Sequence, residues 1–329
     1  MARPLRIQYP GAVYHVTCRG NEQRKIFLDD EDRKRFIRIL AQSINIYSGK
    51  LHAYVLMDNH FHLLLETSLG NLSEIMRHFN ISYTGFFNRR HRRVGHLYQG
   101  RYKSILVEKE AYLSVLSRYV HLNPIRLKKL EKSSAKEKLE KLLNYSWSSF
   151  PAYIDTYKRD GMIDCSLVLA DYGGDTDKGR KAYLKQLIAD IDTGLNVNEV
   201  IFGQSILGGE DFINWVKETF LGESETREQP SAGKIKHYQH KEAILELIEK
   251  ETGKNLETLR IEKGTLRRMA IDLLYRFGGL KGPEIGALMG IDYSAVSQER
   301  KRLREGVAHD RELEKMMARL ENCLSTVKI

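Results

Sequence analysis

Residues 51–66, LHAYVLMDNHFHLLLE, hold two apolar runs separated by a turn signal. LHAYVLM is short and apolar, as a buried strand is, and Asp58-Asn59 is a dipeptide that favours chain reversal. HFHLLLE then returns as a second strand, so the stretch reads as a hairpin. Side chains two apart on a strand share a face. His60 and His62 therefore present two imidazoles to one point. Imidazole is a common metal ligand, and oxygen ligands completing the shell allow Mg²⁺ or Mn²⁺.

The pattern continues on both sides of the hairpin. Residues 12–19, AVYHVTCR, form a preceding strand. The segment 29–47 opens with Asp29, Asp30, Glu31 and Asp32, which suit a helix N-terminus, and continues with Phe36, Leu40, Ile44 and Tyr47 at helical spacing. After the hairpin, Leu72, Ile75, Met76, Phe79, Tyr83, Phe86 and Phe87 predict an amphipathic helix over 72–87. KSILVE, 103–108, is a fourth strand, and 110–123 a further helix. The order β-α-β-β-α-β plus a helix predicts an α+β fold of ferredoxin-like type, a four-stranded antiparallel sheet with helices on one face. The last helix could lie across the sheet.

That last helix carries Tyr119 and Asn123, four apart and so on one face, with Pro124 disfavouring helical geometry at Asn123. A carboxamide oxygen suits a third metal position. A phenol is a weak nucleophile near neutrality, and a metal that polarises a scissile phosphate compensates for this. The bland alternatives are sheet-packed histidines and a core tyrosine beside Leu113, Leu116 and Val120.

Between the two elements lies RHFNISYTGFFNRRHRRVGHLYQGRYK, 77–103, with seven Lys or Arg and no acid. Tyr83, Phe86, Phe87, Tyr98 and Tyr102 are interleaved with the cations. Cations for phosphates and rings for unstacked bases are the chemistry of single-strand binding, although Phe86 and Phe87 also fit a helix core. Arg89, Arg90, Arg92, Arg93, Arg101 and Lys103 are the candidate phosphate contacts. The formal net charge of +10 favours a polyanionic partner.

Four segments, GAVYHVTCRGNE, MDNHFHLLLE, HLYQGRYKSILVE and RYVHLNPIR, in that order and spacing, closely resemble the single-tyrosine HUH transposases, in particular the REP-associated tyrosine transposases. The resemblance covers about residues 5–130; WSSFPAY and GQSILGGEDF look like the extension found in that branch. It implies His60 and His62 as the metal-binding pair, Asn123 as third ligand and Tyr119 as nucleophile. It also implies attack on single-stranded DNA near imperfect hairpins, leaving a 5′-phosphotyrosine and a free 3′-hydroxyl. Arg19 and Asn21, in the first segment, fit a role in placing DNA or the metal site.

Toward the C-terminus, TLRRMAIDLLYRFG (265–278) predicts a helix through Met269, Leu273 and Phe277, ended by Gly278-Gly279. GPEIGALMG gives a short helix and a turn follows at 290–293. Ser294 can N-cap a basic helix, SAVSQERKRLRE. Helix, short helix, turn and basic helix is a helix-turn-helix pattern, or else a plain three-helix module. Ser294, Ala295, Ser297 and Gln298 are candidates for base edges, and Arg300, Lys301, Arg302 and Arg304 for phosphates. Arg268, LKGPEIGALMG and DYSAV are similar to the C-terminal DNA-binding domain of the DnaA replication initiators. Tyr293 and Ala295 depart from the initiators' pattern, and no phosphate-binding loop precedes the segment, so an initiator role is not implied.

The sequence thus divides into a nuclease-like domain (1–130), a mostly helical extension (131–222), a polar linker (223–234) and an all-α helix-turn-helix domain (235–329). Residues 129–141, KLEKSSAKEKLEK, read as a charged, solvated stretch, and helices are expected at 179–192 and 209–220. Three scattered cysteines exclude a zinc ribbon or a disulfide framework. MARPLRIQYPG has no apolar core of a signal peptide and no run is long enough for a membrane span, so the expected location is the cytoplasm. The expected activity is that of a metal-dependent endonuclease and strand transferase. The alternatives are a catalytically silent, sequence-specific DNA-binding regulator and a plasmid-type replication or mobilisation nuclease. One tyrosine per chain means that exchanging two DNA ends needs a homodimer or sequential turnover.

Overall fold

The computed structural model describes residues 7–127, 130–158, 161–195, 197, 201–220, 238–307 and 309–326. It forms two compact units: Arg6–Val197 with Leu207–Gly209, and a second formed by the described residues of 198–206 and 210–329. The expected extension is divided between them. The expected linker, 223–234, lies outside the described residues.

The first unit follows the predicted order: β1 (Ala12–Arg19), α1 (Asp30–Ile46), β2 (Gly49–Met57), β3 (His60–Thr67), α2 (Leu72–Arg90), β4 (Lys103–Val107) and α3 (Lys109–Leu122). Asp29 caps α1 by accepting from the Asp32 amide. Strand β1 pairs antiparallel with β3 and β4, and β3 with β2. Two further short strands follow, β5 (Ile201–Phe202) and β6 (Ile206–Leu207); the first unit's sheet runs past the four expected strands at Leu207, whose carbonyl accepts from the Glu108 amide (2.8 Å) beyond β4. Two-residue strands are too short to show alternation, so the pattern did not mark them.

The sheet alternation separates two environments. Phe61 faces the aromatic core made with Phe36 of α1 and Phe79 of α2, at ring-centroid distances of 5.0 and 5.8 Å. His60 and His62 face the other way. There α3 packs across β1, β2 and β3.

The extension adds α4 (Ala135–Leu143), α5 (Phe150–Ile154), α6 (Ser166–Ala170) and α7 (Asp177–Thr193). The charged stretch read as solvated lies at the surface and carries α4, started by a capping box between Ser134 and Glu137. The extension also covers the free edge of β2: the Leu56 amide donates to the Trp147 carbonyl (2.8 Å), and the Asp164 amide to that of Leu51 (2.8 Å).

The second unit holds α8 (Glu210–Phe220), α9 (Lys241–Thr252), α10 (Leu256–Ile261), α11 (Thr265–Arg276), α12 (Gly282–Met289), α13 (Tyr293–Val307) and α14 (Arg311–Thr326). Met269, Leu273, Ile285, Met289, Val296 and Leu303 fasten α11, α12 and α13 together. Gly290, with φ +65°, ends α12 in the left-handed conformation that a side chain resists. Helix α13 starts one residue before the predicted cap. Asp292, not Ser294, supplies the capping carboxylate, which accepts from the Ser294 amide at 2.8 Å.

Candidate active site

His60 and His62 lie on the α3 side of β3 with ring centroids 5.2 Å apart. Each is held through Nδ1. His60 Nδ1 meets Asn59 Oδ1 at 2.8 Å. His62 Nδ1 meets Nε2 of His15 at 2.8 Å, the two rings lying edge to edge within 17° of parallel and with centroids 5.1 Å apart. His15 reaches His62 because β1 registers Thr17 opposite His62, which puts His15 on the adjacent diagonal of the same face. Asn59 is itself anchored. Its Nδ2 donates to the Gln23 carbonyl (3.0 Å), and its carbonyl accepts from the Gly20 amide (2.8 Å). That loop closes tightly, since a Cβ on Gly20 would fall 2.1 Å from the Arg24 carbonyl oxygen.

The histidines are kept neutral by their surroundings. Burial pulls His60 down to about 4, helped by the Arg19 charge, and burial alone takes His15 to about 4. His62 is held well below the ordinary imidazole value by burial, then by the neighbouring His15 and His60 and the charges of Arg126 and Arg19. Neutral imidazoles are the form that ligates metals.

Helix α3 brings Tyr119 over this face. Its ring stands edge-on to His15 at 5.8 Å and to His62 at 6.3 Å. Pro124 does not spoil the spacing. Regular α-helix ends at Leu122, but Asn123 keeps helical angles (φ −54°, ψ −40°) as the chain tightens into a 3₁₀ turn, Asn123–Ile125. The Asn123 side-chain amide donates to the carbonyls of Tyr119 (2.9 Å) and Val120 (3.3 Å), leaving Oδ1 as the acceptor that the helix does not use. Arg126 lies with Cζ 4.2 Å from the centre of the Tyr119 ring and donates to the Leu195 carbonyl, just beyond α7.

The opposite face of α3 is clamped by the extension. Arg118 Nε donates to Asp190 Oδ2 of α7 at 2.5 Å in a buried ion pair. The Ser117 hydroxyl meets Tyr183 (3.0 Å), and His121 bridges Tyr183 (2.7 Å) and Ser149 (2.7 Å). Full burial holds His121 down to about 3.

His60, His62 and Asn123 suit a divalent cation by donor chemistry: two imidazoles whose Nε2 atoms make no hydrogen bond among the described residues, and an amide oxygen. Among the described residues no cluster of three or more His, Cys, Asp or Glu is arranged to hold a metal.

The basic residues fall into two classes. Arg89, Arg92, Arg101 and Lys103 are exposed, and Arg93 lies over the Phe87 ring at 5.5 Å. Arg90 is committed to the N-terminus of α1, paired with Asp29 (2.7 Å) and Asp32 (2.5 Å). In the second unit Ser294, Ser297 and Gln298 are exposed along the first turns of α13. Arg300 is turned inward, bonded to Asp272 at 2.9 Å with Cζ 3.5 Å from the centre of the Tyr275 ring. Arg302, exposed, pairs with Glu299 at 2.8 Å.

Residues 8–123, the segment carrying His15, His60, His62, Tyr119 and Asn123, match the family of IS200-like transposases. No curated protein matches the chain. Among solved structures, one of a REP-associated tyrosine transposase bound to a REP hairpin is similar at 12% identity and a TM-score of 0.38, covering 50% of this chain and 90% of that one.

Sequence reasoning passed over His15, Asn59 and Arg126. The signal for His15 was present: His15, Thr17 and Arg19 are polar at alternate positions of an otherwise apolar strand, which marks a polar face. Asn59 was read only as a turn residue, and nothing local marks Arg126 as a neighbour of Tyr119. No helix among the described residues is long and apolar enough to cross a membrane.

Proposed function

We propose that the first unit is a metal-dependent, single-strand DNA endonuclease and strand transferase of the transposase type, built on a ferredoxin-like arrangement of β1–β4. The observation that carries this reading is that Tyr119 of α3 stands beside His62 (ring centroids 6.3 Å), next to His60 on β3, with Asn123 following on the turn after α3. The Tyr119 oxygen attacks the scissile phosphorus. A Tyr–O–P bond forms, the P–O3′ bond breaks, the phenolic proton is lost and the departing oxygen becomes a free 3′-hydroxyl. The 5′-phosphotyrosine conserves the bond energy, so the 3′-hydroxyl of another strand can reverse the step without an energy cofactor. His60, His62 and Asn123 would hold Mg²⁺ or Mn²⁺, which supplies charge stabilisation at the phosphate oxygens. Arg126 contributes a fixed cation beside the Tyr119 ring. Exposed Arg89, Arg92, Arg101 and Lys103 serve the DNA backbone.

In the same reading α12 and α13 form a helix-turn-helix. Ser294, Ser297 and Gln298 face base edges, and the module holds duplex DNA near the cleaved strand. Because Arg300 is spent on Asp272 and Tyr275, the phosphate contacts fall to Arg302 and its exposed neighbours Lys301 and Arg304.

The deciding test is incubation with a pool of hairpin-bearing single-stranded DNA and Mn²⁺ or Mg²⁺, followed by denaturing electrophoresis. The expected result is a protein–DNA adduct that EDTA prevents and that Tyr119→Phe lacks. Sequence-specific duplex binding without any adduct would instead favour a catalytically silent regulator.

A further inference from the structure

We propose that Asn59 and His15 are a pair of positioning residues. Each accepts a hydrogen bond from Nδ1–H of one histidine of the His60-Phe61-His62 strand, so that both rings present Nε2 to the divalent cation. The role rests on the metal-site reading above and concerns residues outside the ligand set.

A neutral imidazole has one N–H, and either nitrogen can carry it. A ligating histidine must keep its proton on the nitrogen turned away from the metal, and an acceptor fixed at that nitrogen makes the choice before the metal arrives. Here both rings have such an acceptor and the two arise independently. For His60 it is Asn59 Oδ1 at 2.8 Å. The amide of Asn59 is not free to rotate, because Nδ2 donates to the Gln23 carbonyl at 3.0 Å, which aims the oxygen at His60. The Asn59 backbone is tied to the loop of the first strand through Gly20, and the neighbouring Asp58 carbonyl accepts from the Ile26 amide (2.9 Å).

For His62 the atom facing Nδ1 is His15 Nε2, 2.8 Å away, and the role assigned to it is that of acceptor. Two facing ring nitrogens can share only one proton. If His62 supplies it, His15 carries its own proton on Nδ1 and His62 Nε2 remains a lone pair. His15 is only 5% exposed and fixed by the β1–β3 register, so it cannot swing away. The two rings meet edge to edge, within 17° of parallel, so the same hydrogen bond also sets the plane of His62. In both cases the nitrogen left without a hydrogen bond among the described residues is Nε2.

Two readouts on the full-length chain test this without DNA cleavage. In the metal-free protein, ¹⁵N spectra of the histidine rings should show His60 and His62 as Nδ1–H tautomers, with His62 losing that preference in His15→Leu. In Mn²⁺ titrations followed by electron paramagnetic resonance, His15→Leu and Asn59→Ala should each weaken binding by about 10- to 100-fold. His15→Gln, which keeps an acceptor, should recover most of the loss, whereas a packing role would be served as well by leucine. Nε2–H tautomers in the wild type, or wild-type Mn²⁺ affinity in both His15→Leu and Asn59→Ala, would overturn the role alone. A wild-type protein that binds no Mn²⁺ would overturn the metal site and the role with it. If His15→Leu does not fold, the wild-type tautomers and Asn59→Ala decide.

Discussion

At the scale of single residues, the candidate site sets a phenol, the proposed nucleophile, beside several neutral imidazoles, and both features have measurable consequences. Tyr119 is half-buried and its ring is held edge-on by His15 and from above by Arg126, so removing its oxygen should leave packing intact. Tyr119→Phe should therefore abolish covalent attachment while hairpin affinity, measured by gel shift, stays within about twofold, less than 1 kcal/mol. Adducts persisting in that variant would reassign the nucleophile. The buried histidines predict acid sensitivity. His121 and His15 are held down to about 3 and about 4, against an ordinary 6.5. The unfolded chain takes up protons below 6.5 and the folded one does not, so stability is full above 6.5 and drains away as pH falls. At about 1.4 kcal/mol per pH unit for each, the two together should cost about 4 kcal/mol by about pH 5. Glu66 does not offset this. Burial works to raise its pKa, but bonds to His52 and Lys109 hold it at about 2, so its contribution persists throughout that window. Equal urea midpoints at pH 7.5 and 5.0 would contradict neutral burial of these rings.

At the scale of elements, helix α3 does two jobs on two faces. One face sets Tyr119 against His15 and His62 of the sheet, and the other is bolted to α7 and the segment before α5 by Arg118, Ser117 and His121. The extension therefore bears on the candidate chemistry by fixing the height and rotation of α3. Asp190→Ala leaves the Arg118 guanidinium buried without its counter-ion, a loss of about 3–5 kcal/mol. Urea unfolding should register it, and adduct formation should fall in the same variant even where it is still folded. Asp190→Asn, which keeps an acceptor for Arg118, should lose less. In α13, Ser297→Ala and Gln298→Ala should each weaken binding of the cognate duplex by about 1–3 kcal/mol while leaving non-cognate binding unchanged. Lys301→Ala should weaken both alike. A uniform loss from Gln298→Ala would remove it from base recognition.

At the scale of the whole molecule, the charge of +10 is not spread evenly in its availability. Arg90, Arg118 and Arg300 are paired with acids, whereas Arg89, Arg92 and Arg101 are exposed. Salt dependence should distinguish them. Replacing Arg89, Arg92 and Arg101 together by alanine should lower the slope of log affinity for single-stranded DNA against log salt by about 2. Arg90→Ala should act mainly through stability, by freeing Asp29 and the fully buried Asp32 at the start of α1. An unchanged salt slope in the triple variant would exclude that surface from the DNA path.

Much of this was legible in the linear chain because it depends on short-range periodicity. Alternation marked β1, short apolar runs marked β2 to β4, helical spacing marked α1, α2 and α3, and the two-residue offset alone put His60 and His62 on one face. The four-residue offset did the same for Tyr119 and Asn123. Helices α11, α12 and α13 were equally local, being marked by glycine stops and apolar stripes. What the sequence could not decide were the partnerships between residues distant in the chain. Strand register, not local pattern, brings His15 to Nδ1 of His62, 47 positions away. Helix packing commits Arg118 to Asp190, 72 positions on, and Arg126 to the end of α7. Arg90 and Arg300 read as free cations for the same reason, since a charge run shows no sign of the carboxylates that folding will place against it. Periodicity states which way a side chain points from its own element, and only the tertiary structure states what it meets there.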